Sequence, residues 1–170
     1  MAKIIGSIDN AGQLKGIFYL IFTEDEMLKF ETMSRKERRF ELYQARMSNS
    51  MRMVPVAGDV TSYNIMKETV ENMIVENIGW GQDIEKDLDE YLQKPPPEFE
   101  RFSYDDITSV ELSGGTAVTL PHLIFKLSDN HEKFHLLHGN FKGRGKIEDD
   151  VFKKYEDVLN EALPGKLEVK

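Results

Sequence analysis

Residues 131–135 read His-Glu-Lys-Phe-His, and this segment carries the pattern that most resembles a catalytic motif. It matches the His-Glu-x-x-His signature of zinc-dependent hydrolases, in which both histidines bind the metal and the glutamate is the general base. In a helix, His131 and His135 lie about 6 Å apart along the axis and can share a metal, whereas in a strand they lie about 13 Å apart. The local secondary structure therefore decides whether His131 and His135, with Glu132, form a zinc site.

The residues around this segment favour a β-hairpin. Asp129-Asn130 is predicted to form its tip, since short polar residues tolerate positive φ. Alternate apolar residues of the two strands then share one face: Phe125 opposite Phe134 and Leu123 opposite Leu136. The other face carries a mixed set: His122, Ile124, Lys126, Lys133 and His135. A hairpin argues against shared coordination, and a zinc hydrolase remains the alternative.

A glycine-rich basic loop, Asn-Phe-Lys-Gly-Arg-Gly-Lys at residues 140–146, is a second candidate site. Lys142, Arg144 and Lys146 precede a predicted helix, whose first amide groups hold phosphates in many proteins. That helix opens with acidic residues 148–150, which already complement its dipole and repel an anion. We therefore favour an exposed connection here, with binding of an anionic ligand or lipid as a further alternative.

No other catalytic or cofactor-binding pattern occurs in the sequence. It lacks a phosphate-binding Walker loop, a dinucleotide fingerprint and a nucleophile elbow. The chain has no cysteine, which excludes disulfides, thiolate metal sites and cysteine nucleophiles. The acidic run between residues 83 and 90 is interpreted as the wet face of a helix. We therefore expect no cofactor and no enzymatic activity.

Composition is that of an ordinary globular protein. Of 170 residues, 40% are hydrophobic and 31% are charged, enough for one domain with a core, or for a domain and a subdomain. The net charge of −8 argues against nucleic acid and anionic lipid as partners. No apolar run approaches the roughly 18 residues of a membrane span, and the N-terminus lacks the apolar core of a signal peptide. We expect a cytoplasmic protein.

The N-terminal third is predicted to be β-structure. A first strand covers residues 3–8 and a turn follows at residues 10–12. Residues 16–22, Gly-Ile-Phe-Tyr-Leu-Ile-Phe, are apolar at consecutive positions, which is typical of a central strand covered on both sides. Residues 23–25, Thr-Glu-Asp, then form a turn, and a third strand returns from Met27.

From Ser34 the apolar period changes from two to about 3.6, which predicts a three-helix insertion. Ser34 and Glu37 match a capping box, and Phe40, Tyr43 and Met47 share one stripe. A second helix is predicted over residues 62–77, with a break at Gly79-Trp80-Gly81, and a third over residues 82–93 before three prolines. Most methionines lie in this insertion: Met47, Met51, Met53, Met66 and Met73. Such residues suit an adaptable partner surface, although packing of the insertion onto the sheet is the preferred interpretation.

Four more strands and a closing helix are predicted for the remaining chain. Strands are expected over residues 99–104 and 107–112, followed by the hairpin described above. Residues 151–163 have a broad apolar stripe, and Pro164-Gly165 ends the helix.

This order of elements resembles prokaryotic pleckstrin-homology-like (PH-like) and GRAM-type domains. Residues 16–32, GIFYLIFTEDEMLKFET, are similar to the family's G-x-L-x-L-T-x-x-R-L-x-F hairpin, and residues 102–110, FSYDDITSV, to its I-x-Y-x-D-I-x-S-V strand entry. The resemblance implies an α+β fold: a seven-stranded antiparallel barrel closed by a C-terminal helix. The barrel domain covers residues 1–33 and 99–165, the helical insertion residues 34–98, and a C-terminal tail residues 166–170.

The resemblance also implies a non-catalytic binding or scaffolding module. The acidic tip at residues 23–26 occupies the place where phosphoinositide-binding members carry basic residues, and it argues against that ligand. We therefore expect a protein partner, or self-association, through the helical insertion.

Overall fold

The computed structural model describes residues 1–37, 58–116, 118–137 and 147–170, with the side chains of the long first helix described from residue 68 onward. The strands are β1 (Ile4–Gly12), β2 (Gly16–Thr23), β3 (Glu26–Ser34), β4 (Glu100–Ser103), β5 (Ile107–Ser113), β6 (His122–Leu127), β7 (His131–Leu136) and β8 (Leu167–Val169). The helices are α1 (Gly58–Lys86), α2 (Leu88–Gln93) and α3 (Asp149–Ala162). All eight strands join one sheet in the order β4-β3-β2-β1-β7-β6-β5-β8.

The predicted closed barrel of seven antiparallel strands is wrong, although the α+β class is confirmed. The sheet is open, with β4 and β8 at its edges. It is also mixed, because β8 runs parallel to β5 with Val110 opposite Leu167. Residues 167–169, assigned to a tail from the sequence, form β8. Three residues are too short to show an alternating pattern, and the strand forms because α3 returns the chain alongside β5.

Strand β2 is buried on both faces, as its continuous apolar sequence predicted. Every residue from Gly16 to Thr23 is buried. Phe18, Leu20 and Phe22 point into the larger core, while Tyr19 and Ile21 point to the opposite side of the sheet. This two-sided burial makes β2 the centre of the molecule.

The larger core lies on the inner face of a strongly curved sheet. Rings of β2 reach those of distant strands: the centroids of Phe22 and Phe125 are 6.2 Å apart, and those of Phe18 and Phe134 are 6.4 Å apart. Helix α3 covers this face with the stripe expected from the sequence: Tyr155, Val158, Leu159 and Ala162 are buried. The chain leaves α3 at Gly165, whose φ of 78° suits glycine.

Helix α1 packs on the opposite, outer face of β2 and β3. Ile84 of α1 and Leu88 of α2 join Ile21, Leu28 and Phe30 in a second core. The phenol of Tyr19 donates to the Glu85 carboxylate at 2.8 Å, and burial raises the pKa of Tyr19. One half of the sheet is therefore covered on both sides.

The predicted helix break at residues 79–81 is wrong, because α1 continues through both glycines. A Cβ at Gly81 would overlap the ring of Tyr19, so this glycine allows close approach of helix and sheet. A Cβ at Gly79 would meet nothing within 4 Å. The two glycines thus have opposite environments, one buried and one open.

The predicted first helix of the insertion is described only over its first turn. Ser34 and Glu37 form the expected capping box, with the Glu37 amide donating to the Ser34 hydroxyl at 3.2 Å and the Ser34 amide donating to the Glu37 carboxylate at 2.6 Å. Phe40, Tyr43, Met47, Met51 and Met53 lie outside the described residues, as does the side chain of Met66. Met73 is buried against Ile17 and Met33.

The turn predicted at residues 10–12 is wrong, because β1 extends to Gly12. Asn10 has a φ of 51°, which asparagine tolerates, and the pairing with β2 shifts between Ile8 and Ala11. The left-handed residue therefore marks an irregularity within the strand. The chain instead reverses beyond Gly12, where Gln13 and Gly16 exchange backbone hydrogen bonds.

Candidate interaction surfaces

The His-Glu-Lys-Phe-His segment is a β-strand, as the hairpin interpretation predicted. It forms β7, and both His131 and His135 are exposed on the outer face of the sheet. Glu132 points to the inner face, on the same side as Phe134. The strand separates the two histidines by about 13 Å along its axis and turns the glutamate away from them. This geometry does not assemble the constellation of a zinc hydrolase.

The hairpin register differs from the predicted one by two residues. Leu123 pairs with Phe134, and Phe125 pairs with Glu132. The chain reverses at residues 128–129, where the Leu127 amide donates to the Asn130 carbonyl at 2.8 Å. A shift of two residues preserves which side chains point inward, so the apolar pattern allows both registers. The predicted apolar and mixed faces are therefore right, although the predicted pairs are wrong.

Glu132 pairs with a lysine inside the larger core. The Lys29 side chain is 0% exposed, and its Nζ lies 3.0 Å from Glu100 Oε1 and 3.3 Å from Glu132 Oε2. The ammonium also lies 4.5 Å from the ring centroid of Phe18. Gln13 donates to Glu132 Oε2 at 2.7 Å. Two carboxylates and an aromatic face thus compensate a charge that would otherwise be costly to bury.

This cluster was not predicted from the sequence. Lys29 lies two residues from Met27 on the inward-facing side of β3, and both residues are fully buried. A charged residue on an otherwise apolar face signals a need for partners, but those partners come from β4 and β7. No local pattern identifies Glu100 and Glu132 in advance.

The basic-loop candidates Lys142, Arg144 and Lys146 lie outside the described residues. The helix that follows begins as expected, with Glu148 at its N-cap and Asp149 and Asp150 in its first turn. At the acidic hairpin tip, Glu24 accepts a hydrogen bond from Lys3 at 2.6 Å, and Glu26 pairs with Arg101. Cations of the chain itself therefore offset part of that negative charge.

The outer face of β6 and β7 concentrates basic side chains and is called here the basic sheet face. It consists of His122, Ile124, Lys126, His131, Lys133 and His135. His122 lies directly opposite His135, and Lys126 opposite His131. Three of the chain's four histidines therefore share one surface.

Neighbouring strands add a mixed border to the basic sheet face. Glu111 on β5 lies 3.0 Å from His122 Nε2 and 3.1 Å from Lys170 Nζ. Hydrogen bonds from His122 and Lys170 lower the pKa of Glu111. Burial, followed by the charges of Lys133 and His122, lowers the pKa of His135. His135 therefore gains its positive charge only in more acidic solution than an ordinary histidine.

The solvent side of α1 has the opposite character and is called here the acidic helix face. It is built from Val75, Glu76, Gly79, Trp80 and Asp83. Val75 is 67% exposed and Trp80 is 45% exposed, on neighbouring turns of the helix. Between residues 68 and 86 the exposed charges are four carboxylates, Glu68, Glu71, Glu76 and Asp83, and one ammonium, Lys86. Two exposed apolar side chains thus lie beside the open position at Gly79, within an acidic surround.

Within the described ranges, no three histidine, aspartate or glutamate side chains are placed to hold a metal ion. The helices described there include none long and apolar enough to cross a membrane. Comparison of the chain with protein-family models, with curated proteins and with solved structures finds no match.

Proposed function

We propose that this chain is a non-catalytic protein-binding module that takes a basic segment of a partner on the acidic helix face. One observation carries the proposal: among the described side chains of α1, Val75 and Trp80 are large apolar side chains that remain exposed. Tryptophan is enriched among residues that dominate binding energy, and charged groups around such an anchor select the partner.

The shape and charge of this face define the partner. Gly79 presents bare backbone with no neighbour within 4 Å of a Cβ, so a partner side chain can approach the helix closely there. Glu76 and Asp83 flank this position and favour lysine or arginine on the incoming segment. An amphipathic basic helix combines both requirements.

A binding role agrees with the resemblance to PH-like domains, which we retain as a proposal. It is supported by four consecutive strands from β1 to β4 in the described chain, three from β5 to β7, and a C-terminal helix across the inner face. The helices between β3 and β4 then supply the specific surface. The compensated Lys29 cluster supports the non-catalytic part, because its two carboxylates already pair with the buried ammonium.

Trp80 is the only tryptophan of the chain, so its fluorescence reports directly on the acidic helix face. We expect a lysine- and leucine-rich amphipathic peptide to shift this emission to shorter wavelength on titration, because the peptide removes water from the indole. The affinity should fall with added salt. A glutamate- and leucine-rich peptide of the same length should leave the emission unchanged.

A matched pair of double variants tests the location. Glu76→Lys with Asp83→Lys should weaken binding of the basic peptide by about tenfold or more. Asp105→Lys with Asp106→Lys makes the same charge change on exposed residues of the β4–β5 turn and should leave the affinity within about twofold. Equal losses in both variants, or no emission change with the wild type, would overturn the proposal.

A further inference from the structure

The two surfaces described above have opposite charge. The basic sheet face carries Lys126 and Lys133 together with three histidines, whereas the acidic helix face carries Glu76 and Asp83. They lie on different halves of the sheet: α1 covers β2 and β3, and the basic face belongs to β6 and β7. One copy can therefore present both surfaces at once to two neighbours.

We infer that the acidic helix face of one copy docks on the basic sheet face of a second copy, which gives head-to-tail self-association. This inference rests on the proposed function of the acidic helix face and identifies its partner as this chain. Contact between two different patches is heterologous, so it propagates into a ring or an open chain of copies.

The contact would pair apolar side chains of the two surfaces with each other and basic side chains with acidic ones. Ile124 is half-buried on the basic sheet face, opposite Lys133 on β7 and Glu111 on β5, and offers an apolar contact for Val75 or Trp80. Lys126 and Lys133 meet the carboxylates around Val75, whereas Glu111 already pairs with His122 and Lys170. A helix-to-helix contact between copies would instead bring the carboxylates of both copies together, which disfavours a symmetric dimer through α1.

His135 makes this contact dependent on pH. The described charged or polar groups beside it on the basic sheet face are the cations Lys126, Lys133 and Lys170, the anions Glu111 and Glu168, and the imidazoles of His122 and His131. Burial, followed by the charge of Lys133, lowers the pKa of His135, and facing carboxylates favour its protonated form, so association strengthens as pH falls through that lowered pKa.

Sedimentation velocity at low ionic strength tests the inference. We expect the mean mass to be higher at about pH 5 than at about pH 7.5, because the pKa of His135 lies below the ordinary histidine value of 6.5, and we expect added salt to reverse the increase. His135→Asn should reduce the pH dependence. A wild-type protein that stays monomeric at both pH values would overturn the inference.

Charge reversal identifies the two surfaces. Lys126→Glu with Lys133→Glu should abolish self-association, and so should Glu76→Lys with Asp83→Lys. An equimolar mixture of the two variants should associate again, because each reversed face then meets a complementary one. An unchanged mass distribution in either variant alone, or no association in the mixture, contradicts the inference.

The peptide titration separates this inference from the proposed function. The Lys126→Glu/Lys133→Glu variant retains the acidic helix face and should still bind the basic peptide with wild-type affinity. If the peptide binds but the wild type does not self-associate, only the self-association is refuted. If the wild type does not self-associate and the peptide also fails to shift the Trp80 emission, both the self-association and the proposed function are refuted.

Discussion

The two halves of the sheet differ in what lies on their outer faces. In β2 and β3 the outer residues Ile21, Leu28 and Phe30 are fully buried beneath helices α1 and α2. In β6 and β7 the corresponding face carries lysines and histidines, with Ile124 half-buried among them. Both halves share the inner core, so the difference is confined to one side of one sheet.

This difference shows that the pattern of apolar residues in a strand decides whether one or both of its faces are buried. A strand that is apolar at every position has two faces to bury and requires a covering layer on each, as β2 does. A strand that alternates satisfies the core with one face and leaves the other to solvent or a partner, as β6 and β7 do. The helical insertion covers the outer face of β2, and other side chains of the same insertion remain exposed to solvent.

A lysine substituted on the outer face of each half should give the greatest difference in the free energy of unfolding. Ile21→Lys places an unpaired ammonium beneath α1 and should lower the free energy of unfolding by about 4 kcal/mol or more, or prevent folding. Ile124→Lys adds the same charge to the basic sheet face and should cost about 1 kcal/mol or less. Urea denaturation followed by circular dichroism measures both. Similar losses in the two variants would show that the outer faces are equally covered.

The two glycines of α1 show the same difference between a covered and an open position within one helix. Gly81→Ala forces a methyl group into the ring of Tyr19 and should destabilise the protein by about 1–3 kcal/mol. Gly79→Ala adds a methyl group in open space and should stabilise it by up to about 1 kcal/mol, because alanine favours the helix. Thermal denaturation distinguishes opposite shifts in Tm. A shift of the same sign in both would contradict the packing of α1 on β2.

A weaker effect should be measurable at Glu111, on the border of the basic sheet face. Partners in the folded protein lower the pKa of Glu111 below its ordinary value of 4.5, so its ionised form stabilises the fold above that pH. This contribution is lost as pH falls through the lowered pKa. Glu111→Gln should therefore reduce stability near neutral pH by up to about 1 kcal/mol.

Urea denaturation at a series of pH values measures this difference between the wild type and Glu111→Gln. The difference should narrow as pH falls below about 4.5. Glu168→Gln removes an exposed carboxylate on β8 opposite Glu111 and serves as the control. A difference that does not depend on pH would exclude the Glu111 carboxylate as its source.

Sequence patterns predicted which residues share a face better than which residues pair. The alternation of Leu123, Phe125, Phe134 and Leu136 correctly placed all four on the inner face of β6 and β7. It could not fix the register, because a shift of two residues leaves every side chain on the same side. Turn chemistry did not resolve this ambiguity, since Ser128-Asp129 and Asp129-Asn130 are both compatible with a tight reversal.

Features that depend on distant parts of the chain were not predictable. Gly81 appeared to interrupt a helix, and only the ring of Tyr19 beneath it explains a glycine there. The strand β8 and the open edges of the sheet likewise depend on where α3 returns the chain. For the proposed surfaces, the mixed face of β6 and β7 was visible in the sequence, whereas the exposure of Val75 and Trp80 required the packed side of α1 to be known.

The buried ammonium of Lys29 has a consequence for synthesis of the chain on the ribosome. One of its partners, Glu132, lies 103 residues further along the chain. The first three strands therefore leave the ribosome long before this carboxylate has been synthesised. An N-terminal fragment ending before residue 100 would have to bury the ammonium without either carboxylate or leave β3 exposed. We therefore expect β3 to become fully buried only after the segments that carry Glu100 and Glu132 have been translated.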